Sequence, residues 1–285
     1  MIEPLQSQHV RGVLTVLTGA FGAGFDEGWF EWKHTGGPWG ASPGWVAVDE
    51  SGVVGVRLFL PWAFQAADSR SLEALRPCDT ATAPRARERG VFTSLTRTAL
   101  ESTSNRCDLF YNTPNEQSRG GYFKMGFTEW LSVSQEVGLV TRRPARLIDD
   151  PDPEAATASL GGVLRTRMDR RFVNWRYANC PFYRYQTAGL SASDSANGVV
   201  YRRRKWHRLP LIVVAELWGK KADRAALLSA VGAKERCSLF WVTTDQTDAV
   251  GPSFGRKATL VTHLVTSGSF LTTPVLSVGD LEDVL

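Results

Sequence analysis

The sequence predicts an α/β protein, and three observations carry that reading. Apolar residues recur at helical spacing in some stretches and gather in short β-branched runs in others. The two kinds alternate as helix, strands, loop, helix, strand, helix, strand up to about residue 140. Gly and Pro punctuate the changes.

Residues 2–21 read as a helix, with Val10, Val13, Leu14 and Leu17 at helical spacing, and Gly22 and Gly24 break it. Trp29-Phe30-Glu31-Trp32-Lys33-His34 reads as a short helix and Gly36-Gly37-Pro38-Trp39-Gly40 as a loop. Two strands, 44–48 and 53–60, flank the hairpin turn Asp49-Glu50-Ser51-Gly52, and Pro61 ends the second. Residues 72–82 read as a strand in which Pro77 marks a bulge or an edge. Residues 84–90 form a basic, Gly-containing loop. Residues 91–104 form an amphipathic helix with Phe92, Leu95 and Ala99 on one side. A short strand at 107–111, a helix at 115–124 stopped by Gly126, and a strand at 127–140 complete the first half. The stretch 142–158, rich in Pro, Asp, Ala and Arg, reads as a linker or crossover. Beyond it, strands at 198–201 and 211–217, a helix at 223–231, and strands at 238–243 and 260–265 echo the first half as a weak internal repeat.

Composition narrows the function classes. The chain has 285 residues, 43% hydrophobic and 22% charged, with ten tryptophans. That is ordinary for a globular protein and enough for one large domain or two small ones. The net charge of +4 is scattered over 85–89, 142–146, 165–171 and 202–208. A nucleic-acid binder gathers a larger excess on one face. Cys78, Cys107, Cys180 and Cys237 form no CxxC pair, so no zinc or other metal site is expected. The N-terminus lacks a signal-peptide pattern and no apolar stretch is long enough to span a bilayer. The expectation is a cytoplasmic protein with reduced thiols, a monomer or homodimer, with no nucleic-acid or membrane partner.

Chemistry concentrates at Ala83-Pro84-Arg85-Ala86-Arg87-Glu88-Arg89-Gly90-Val91-Phe92. A strand runs into this loop and a helix leaves it. The first backbone N–H groups of that helix are unpaired and favour an anion. Gly90 permits a close phosphate, and Arg85, Arg87 and Arg89 add positive charge. The pattern fits a pyrophosphate cradle or an exposed basic turn.

Arg87-x-x-Gly90-x-Phe92 resembles the acyl-CoA loop of the GNAT acyltransferases, Arg/Gln-x-x-Gly-x-Gly/Ala. Phe92 departs from the small residue, and Glu88 replaces a Gly with a carboxylate. Downstream, Asn115-x-x-Ser118-x-x-x-Tyr122-x-Lys124-x-Gly126-Phe127 is similar to the segment N…S…Y-x-K-x-G-F of the same family. The two motifs stand in the family's order and separation.

The resemblance implies a GNAT fold, a mixed and mostly antiparallel sheet flanked by helices. It implies acetyl-CoA or another acyl-CoA as co-substrate and a small-molecule amine as acceptor. Arg87, Glu88, Arg89, Gly90, Val91 and Phe92 then hold the pyrophosphate. Ala81 and Thr82 pair with the pantetheine amides, Asn115 and Ser118 follow the arm, and Tyr122 donates a proton to the leaving thiolate. Asp79 and His34 are candidates for the base, with Glu73 further back, beside the alternative of ordered water. Asn174-Trp175-Arg176-Tyr177, followed by Pro181, Tyr183 and Tyr185, resembles an element that opens a second, degenerate unit in the branch that includes sugar N-acyltransferases. The implied division is 1–140 for CoA binding, 141–158 as linker and 159–285 as the degenerate unit, which lacks a phosphate loop. The acceptor class is an amino sugar, nucleotide-linked or not, or another amine. The rival reading is a GNAT-fold CoA-binding or scaffold protein without turnover.

Overall fold

The structure is a computed structural model that describes residues 1–65, 71–114, 116–155, 164–191, 196–243, 250, 253–264 and 274–275. The chain divides into two compact units. The first takes Met1–Ala63, Leu72–Trp130 and a C-terminal stretch beginning at Leu260. The second takes Phe64–Ser71, Leu131–Thr259 and the remainder.

In the first unit, β1 (Ile2–Pro4) pairs antiparallel with β2 (Gly44–Asp49), which pairs antiparallel with β3 (Gly52–Gln65). Strand β4 (Ser71–Thr82) leads through the basic loop to helix α3 (Val91–Thr103) and then to β5 (Leu109–Asn112), parallel to β4. Ahead of β2 lie α1 (Val10–Phe21) and α2 (Glu27–Phe30), the latter running into a π-helical turn at Glu31–Thr35. Helix α4 (Glu116–Lys124) follows β5. The core packs α3 residues Leu95 and Ala99 against Trp45, Ala47, Phe59, Leu75 and Phe110 of the sheet.

Two departures from the sequence reading have local causes. The expected helix over 2–21 begins only at Val10, because Pro4 disfavours helical backbone at Glu3 and residues 2–4 pair with β2 instead. Strand β3 does not stop at Pro61. Phe59 N–H reaches the Pro43 carbonyl on the β2 side, so Pro61, two residues on, turns its nitrogen to that same side. There the β2 pairing has already ended at Leu58, so no donor is missed.

The second unit takes β6 (Thr128–Leu139) from Leu131 on and then β7 (Leu147–Ile148), which lies within the expected linker and pairs with β9 (Gln186–Leu190). Strand β8 (Leu164–Thr166) pairs with Phe64 and Gln65. Helix α5 (Arg170–Val173) runs into a π-helical turn, Asn174–Ala178. The hairpin of β10 (Gly198–Trp206) and β11 (Leu209–Trp218) turns on His207 and Arg208, both at positive φ as a two-residue hairpin loop requires. The basic run 202–208 is therefore mostly strand, with the hairpin turn at its end. Arg202 is buried over the Tyr183 ring at 4.1 Å, Arg203 meets Glu235 at 3.4 Å, and Arg204 lies over Trp241. Helix α6 (Lys221–Glu235) returns the chain to β12 (Leu239–Thr243), parallel to β11. Strand β13 (Ser253–Leu264) pairs with β5 through its last residues, and β14 (Pro274–Val275) pairs with β8. Leu227, Leu228 and Val231 of α6 pack on Tyr201, Ile212, Val214 and Phe240.

Gly198 sets a tight tolerance in this core: a Cβ there would stand 2.1 Å from Trp218 Cζ2. Gly198→Ala is expected to destabilise the chain by about 1–3 kcal/mol. Gly19→Ala, in α1 with nothing near the added carbon, is expected to be neutral or stabilising. Urea denaturation of the two variants checks the contrast.

Candidate functional site

The site is built on the end of β4. Register puts Leu75 opposite Phe110, and β5 stops at Asn112, while β4 runs on to Thr82. The segment 78–82 therefore extends beyond the end of its parallel neighbour. Ala81 is buried there and Thr82 half-buried. Ala83 N–H then binds the Val54 carbonyl at 2.8 Å and fixes the loop to β3.

The loop turns by alternating backbone sign. Arg87 is extended, Glu88 is left-handed at φ 63°, and Gly90 is left-handed at φ 72° as the N-cap of α3. Such alternation directs successive N–H groups into a common concavity. The first helical bond is Ser94 N–H to the Gly90 carbonyl, so the N–H groups of Val91, Phe92 and Thr93 precede the helical ladder. Arg87, Glu88 and Arg89 are exposed. Arg85 is tied back to Asp49 and Ser51. A groove of about 560 Å³ lies beside the loop, lined by Arg11, Thr15, Ser51, Thr82, Arg85 and Arg87 among others.

Helix α4 brings Tyr122 in. Gly126 at φ 87° closes the helix, and Phe127 N–H reaches back to the Tyr122 carbonyl at 3.1 Å. The Phe127 ring then meets Tyr122 edge-on, with centroids 4.9 Å apart. Tyr122 is 2% exposed. Its oxygen accepts from Arg57 Nη2 at 2.5 Å and from Asn112 Nδ2 at 2.5 Å. Asn112 Oδ1 accepts the Thr113 N–H, which fixes the amide orientation. Arg57 also donates to Thr80 Oγ1 and lies about 5.4 Å from the centroids of Phe59, Phe92 and Tyr122. Phe92 thus contributes its N–H to the first turn of α3 and its ring to the cage around Arg57. Ser118 is half-buried on α4, and Asn115 lies outside the described residues.

A second buried cluster joins α2 to β4. Lys33 Nζ stands 2.8 Å from Asp79 Oδ2 and 3.0 Å from Oδ1; His34 Nε2 stands 3.2 Å from Oδ2, and its Nδ1 meets Ser42 Oγ at 3.0 Å. Asp79 itself has φ 42°. Burial opposes its charge, but Lys33 and the His34 hydrogen bond outweigh burial and hold the carboxyl well below the usual range. Burial lowers the His34 pKa in spite of Asp79, so the imidazole is neutral at pH 7. Cys78 Sγ is within 4.8 Å of these groups, yet the cation on the carboxylate is the Lys33 ammonium. Glu73 is exposed at the far end of β4. Burial pushes the Cys107 thiol up to about 12, so it stays protonated at neutral pH.

The structure thus brings Asp79 and His34 into contact and sets Tyr122 in a separate cluster. Arg57, Thr80, Asn112 and Lys33 were not assigned from sequence. Lys33 lies in the run read as a short helix beside His34, and Asn112 just ahead of the segment that begins at Asn115; Arg57 sits in an apolar strand with no local signal.

The second unit repeats the α2 device. Asp169 caps α5 by accepting Phe172 N–H at 2.7 Å, as Asp26 accepts Trp29 N–H at 2.7 Å. Trp175-Arg176-Tyr177 follows at the spacing of Trp32-Lys33-His34, in the same π-helical turn. Tyr177 Oη then donates to buried Glu216 on β11, where His34 meets Asp79 on β4. Between β11 and α6 only Gly219 and Lys220 intervene, too few for a phosphate loop.

Residues 1–129 match the family model of the acetyltransferase (GNAT) domain. No curated protein sequence matches. Solved structures that resemble the chain include a GCN5-related N-acetyltransferase from Anabaena variabilis, 12% identical with a TM-score of 0.72, over 93% of this chain and 73% of that one. A GCN5-related N-acetyltransferase from Kribbella flavida is 13% identical with a TM-score of 0.68, over 93% and 72%. Eis1 from Mycobacterium abscessus is 16% identical with a TM-score of 0.60, over 93% and 73%. At these identities the likeness shows the fold. The α/β expectation, in its GNAT form, is borne out. Among the described residues no helix is long and apolar enough to cross a membrane.

The buried acid cluster makes stability pH-dependent. His34 has a lowered folded pKa, so the unfolded chain takes up the proton first, and stability falls as pH drops below about 6.5. Asp79 also has a lowered folded pKa; its contribution is present above about pH 4 and is lost below that. Urea midpoints between pH 7.5 and 5 are expected to fall less steeply in His34→Gln than in the unsubstituted chain. Asp79→Asn removes the buried carboxylate that meets Lys33 and His34 and is expected to cost about 3–5 kcal/mol at pH 7.

Proposed function

We propose that the chain is an acyl-CoA-dependent N-acyltransferase that moves the acyl group directly to an amine of a small molecule. The observation that carries this reading is the pairing of an anion cradle at the α3 N-terminus with Tyr122, whose oxygen is held by two N–H donors. The match of residues 1–129 to the acetyltransferase (GNAT) domain supports it.

The roles follow from position. The N–H groups of 87–92 receive the pyrophosphate, with Arg87 and Arg89 adding charge. Backbone groups of Ala81 and Thr82, beyond the end of β5, pair with the pantetheine amides. Ser118 and Asn115 follow the arm. Tyr122 protonates the departing sulfur. Acetyl-CoA is the proposed donor. The second unit is a GNAT-like repeat without a phosphate loop, so it takes no second CoA and supplies acceptor contacts. The resemblance of Asn174-Trp175-Arg176-Tyr177 points to an amino sugar as acceptor.

For the acceptor's proton, the Asp79–His34 pair is the nearest titratable arrangement on β4. If it takes the proton, His34→Gln lowers kcat at every pH. If it only clamps α2 to β4, stability falls and kcat is kept, and ordered water serves as base.

A thiol-release assay with acetyl-CoA and a panel of amines, amino sugars included, tests the proposal. Release dependent on an amine supports it, and CoA failing to bind at millimolar concentration overturns it. CoA binding without release under any amine favours the scaffold reading, to which the exposed Glu88 carboxylate beside the cradle lends weight. Left-handed backbone at a side chain other than Gly costs about 1–2 kcal/mol, and Glu88 also repels phosphate. Glu88→Gly is therefore expected to bind CoA more tightly, by about tenfold, with a raised melting temperature. Calorimetry with CoA checks this.

A further inference from the structure

Arg57 is 2% exposed and, among the described residues, meets no carboxylate. Its guanidinium donates to two neutral oxygens, Thr80 Oγ1 and Tyr122 Oη, inside a cage of Phe59, Phe92 and Tyr122 rings, while its buried Nε meets no acceptor among the described residues. A buried cation without an anion is expensive, and replacing such a group by an apolar one commonly costs a fold nothing. Its retention calls for an anion that arises at this spot.

The hydrogen-bond inventory says which one. A phenol oxygen has two acceptor sites and one proton. Arg57 Nη2 and Asn112 Nδ2 fill both acceptor sites at 2.5 Å. The Thr80 hydroxyl donates to the Cys78 carbonyl and so accepts from Arg57, which leaves Arg57 no competing role. With both acceptor sites filled, the hydrogen-bonding capacity left to Tyr122 is its own proton, which is directed away from both donors.

We infer that Arg57, with Asn112, is the positioning pair that makes Tyr122 a dedicated proton donor and offsets the negative charge left on its oxygen. The inference rests on the proposed acyl transfer and deepens it. The amine lone pair attacks the thioester carbonyl carbon and forms the C–N bond. The carbonyl re-forms as the C–S bond breaks, with its electron pair going to sulfur. The Tyr122 proton moves to that sulfur, giving free CoA thiol. The phenolate then stands against the Arg57 cation, so the buried charge is balanced only in this state. The proton lost by the amine nitrogen restores Tyr122, and no other reactant is needed.

Single-turnover rates and CoA affinities of Arg57→Met, Arg57→Lys, Asn112→Ala, Tyr122→Phe and the doubles with Tyr122→Phe test the pair. Tyr122→Phe is expected to slow turnover by about 100-fold or more. Arg57→Met is expected to slow it by roughly tenfold to 100-fold, and Asn112→Ala by less. In the Tyr122→Phe background neither is expected to slow it further, because both act through the phenol. Arg57→Lys keeps the charge but not the fork that reaches Thr80 and Tyr122 together, so it falls between. A second readout needs no turnover. At about pH 9, above the ordinary thiol range, CoA is expected to bind more tightly than desulfo-CoA, and the preference is lost in Arg57→Met and Asn112→Ala. Equal rate losses in both backgrounds, or a preference unchanged by either substitution, overturns the inference while acyl transfer stands. If Arg57→Met does not fold, the Asn112→Ala and Arg57→Lys arms decide by the same criteria. If neither CoA nor desulfo-CoA binds, acyl transfer and this inference fall together.

Discussion

Everything at the site depends on β4 outrunning β5. A parallel pair normally satisfies both strands along its length. Here β5 ends at Asn112 while β4 continues to Thr82, so the last backbone groups of β4 have no β5 beside them. Unpaired backbone in a protein interior is costly unless something pairs with it. On the acyl-CoA reading proposed above, the extended, amide-bearing arm does so, and the loop at the end of the same strand meets its charged end. On that reading the strand sets the direction of the ligand, and the α3 N-terminus sets where it stops.

The same strand carries the residues that tie the unit together. Asp79 holds α2 through Lys33 and His34, and one residue later Thr80 holds Arg57 and through it Tyr122 of α4. One short segment of β4 thus fastens both α2 and α4 to the sheet. The left-handed backbone at Asp79 marks the irregularity that Pro77 announced in the sequence. Strain at that residue is tolerated because a buried ion pair with Lys33 and a contact with neutral His34 determine its position.

How much of this was legible follows from how local each signal is. The loop was readable because Arg87, Gly90 and the apolar spacing of α3 are consecutive. Tyr122 was readable because Gly126 and Phe127 act on it within one helical closure, which the structure shows as a carbonyl contact and a ring contact. Arg57 was not, since its partners lie 23 and 65 positions away and nothing in Val56-Arg57-Leu58 distinguishes an inward cation from a solvated one. Pro61 misled because proline's cost depends on which side of a strand has a neighbour, a fact of the sheet and not of the dipeptide. The repeat was half legible. Trp and a basic residue stood out, but the Asp26 and Asp169 caps that fix the alignment are short-range polar contacts too common to be noticed alone.

The capped turn that both units share also sets off how they differ. Both retain the capped turn with its buried contact to a sheet carboxylate, His34 to Asp79 in one and Tyr177 to Glu216 in the other. That contact anchors a helical turn on a strand and is useful to any copy of the fold. The first unit has a loop between β4 and α3 long enough for left-handed turns at Glu88 and Gly90, whereas Gly219 and Lys220 join β11 to α6 directly. The cradle is thus a separable addition to a common frame. A buried cation beside a phenol is a further addition, and it answers to the same logic. On the inference drawn above, its presence answers to the charge that chemistry creates rather than to packing alone.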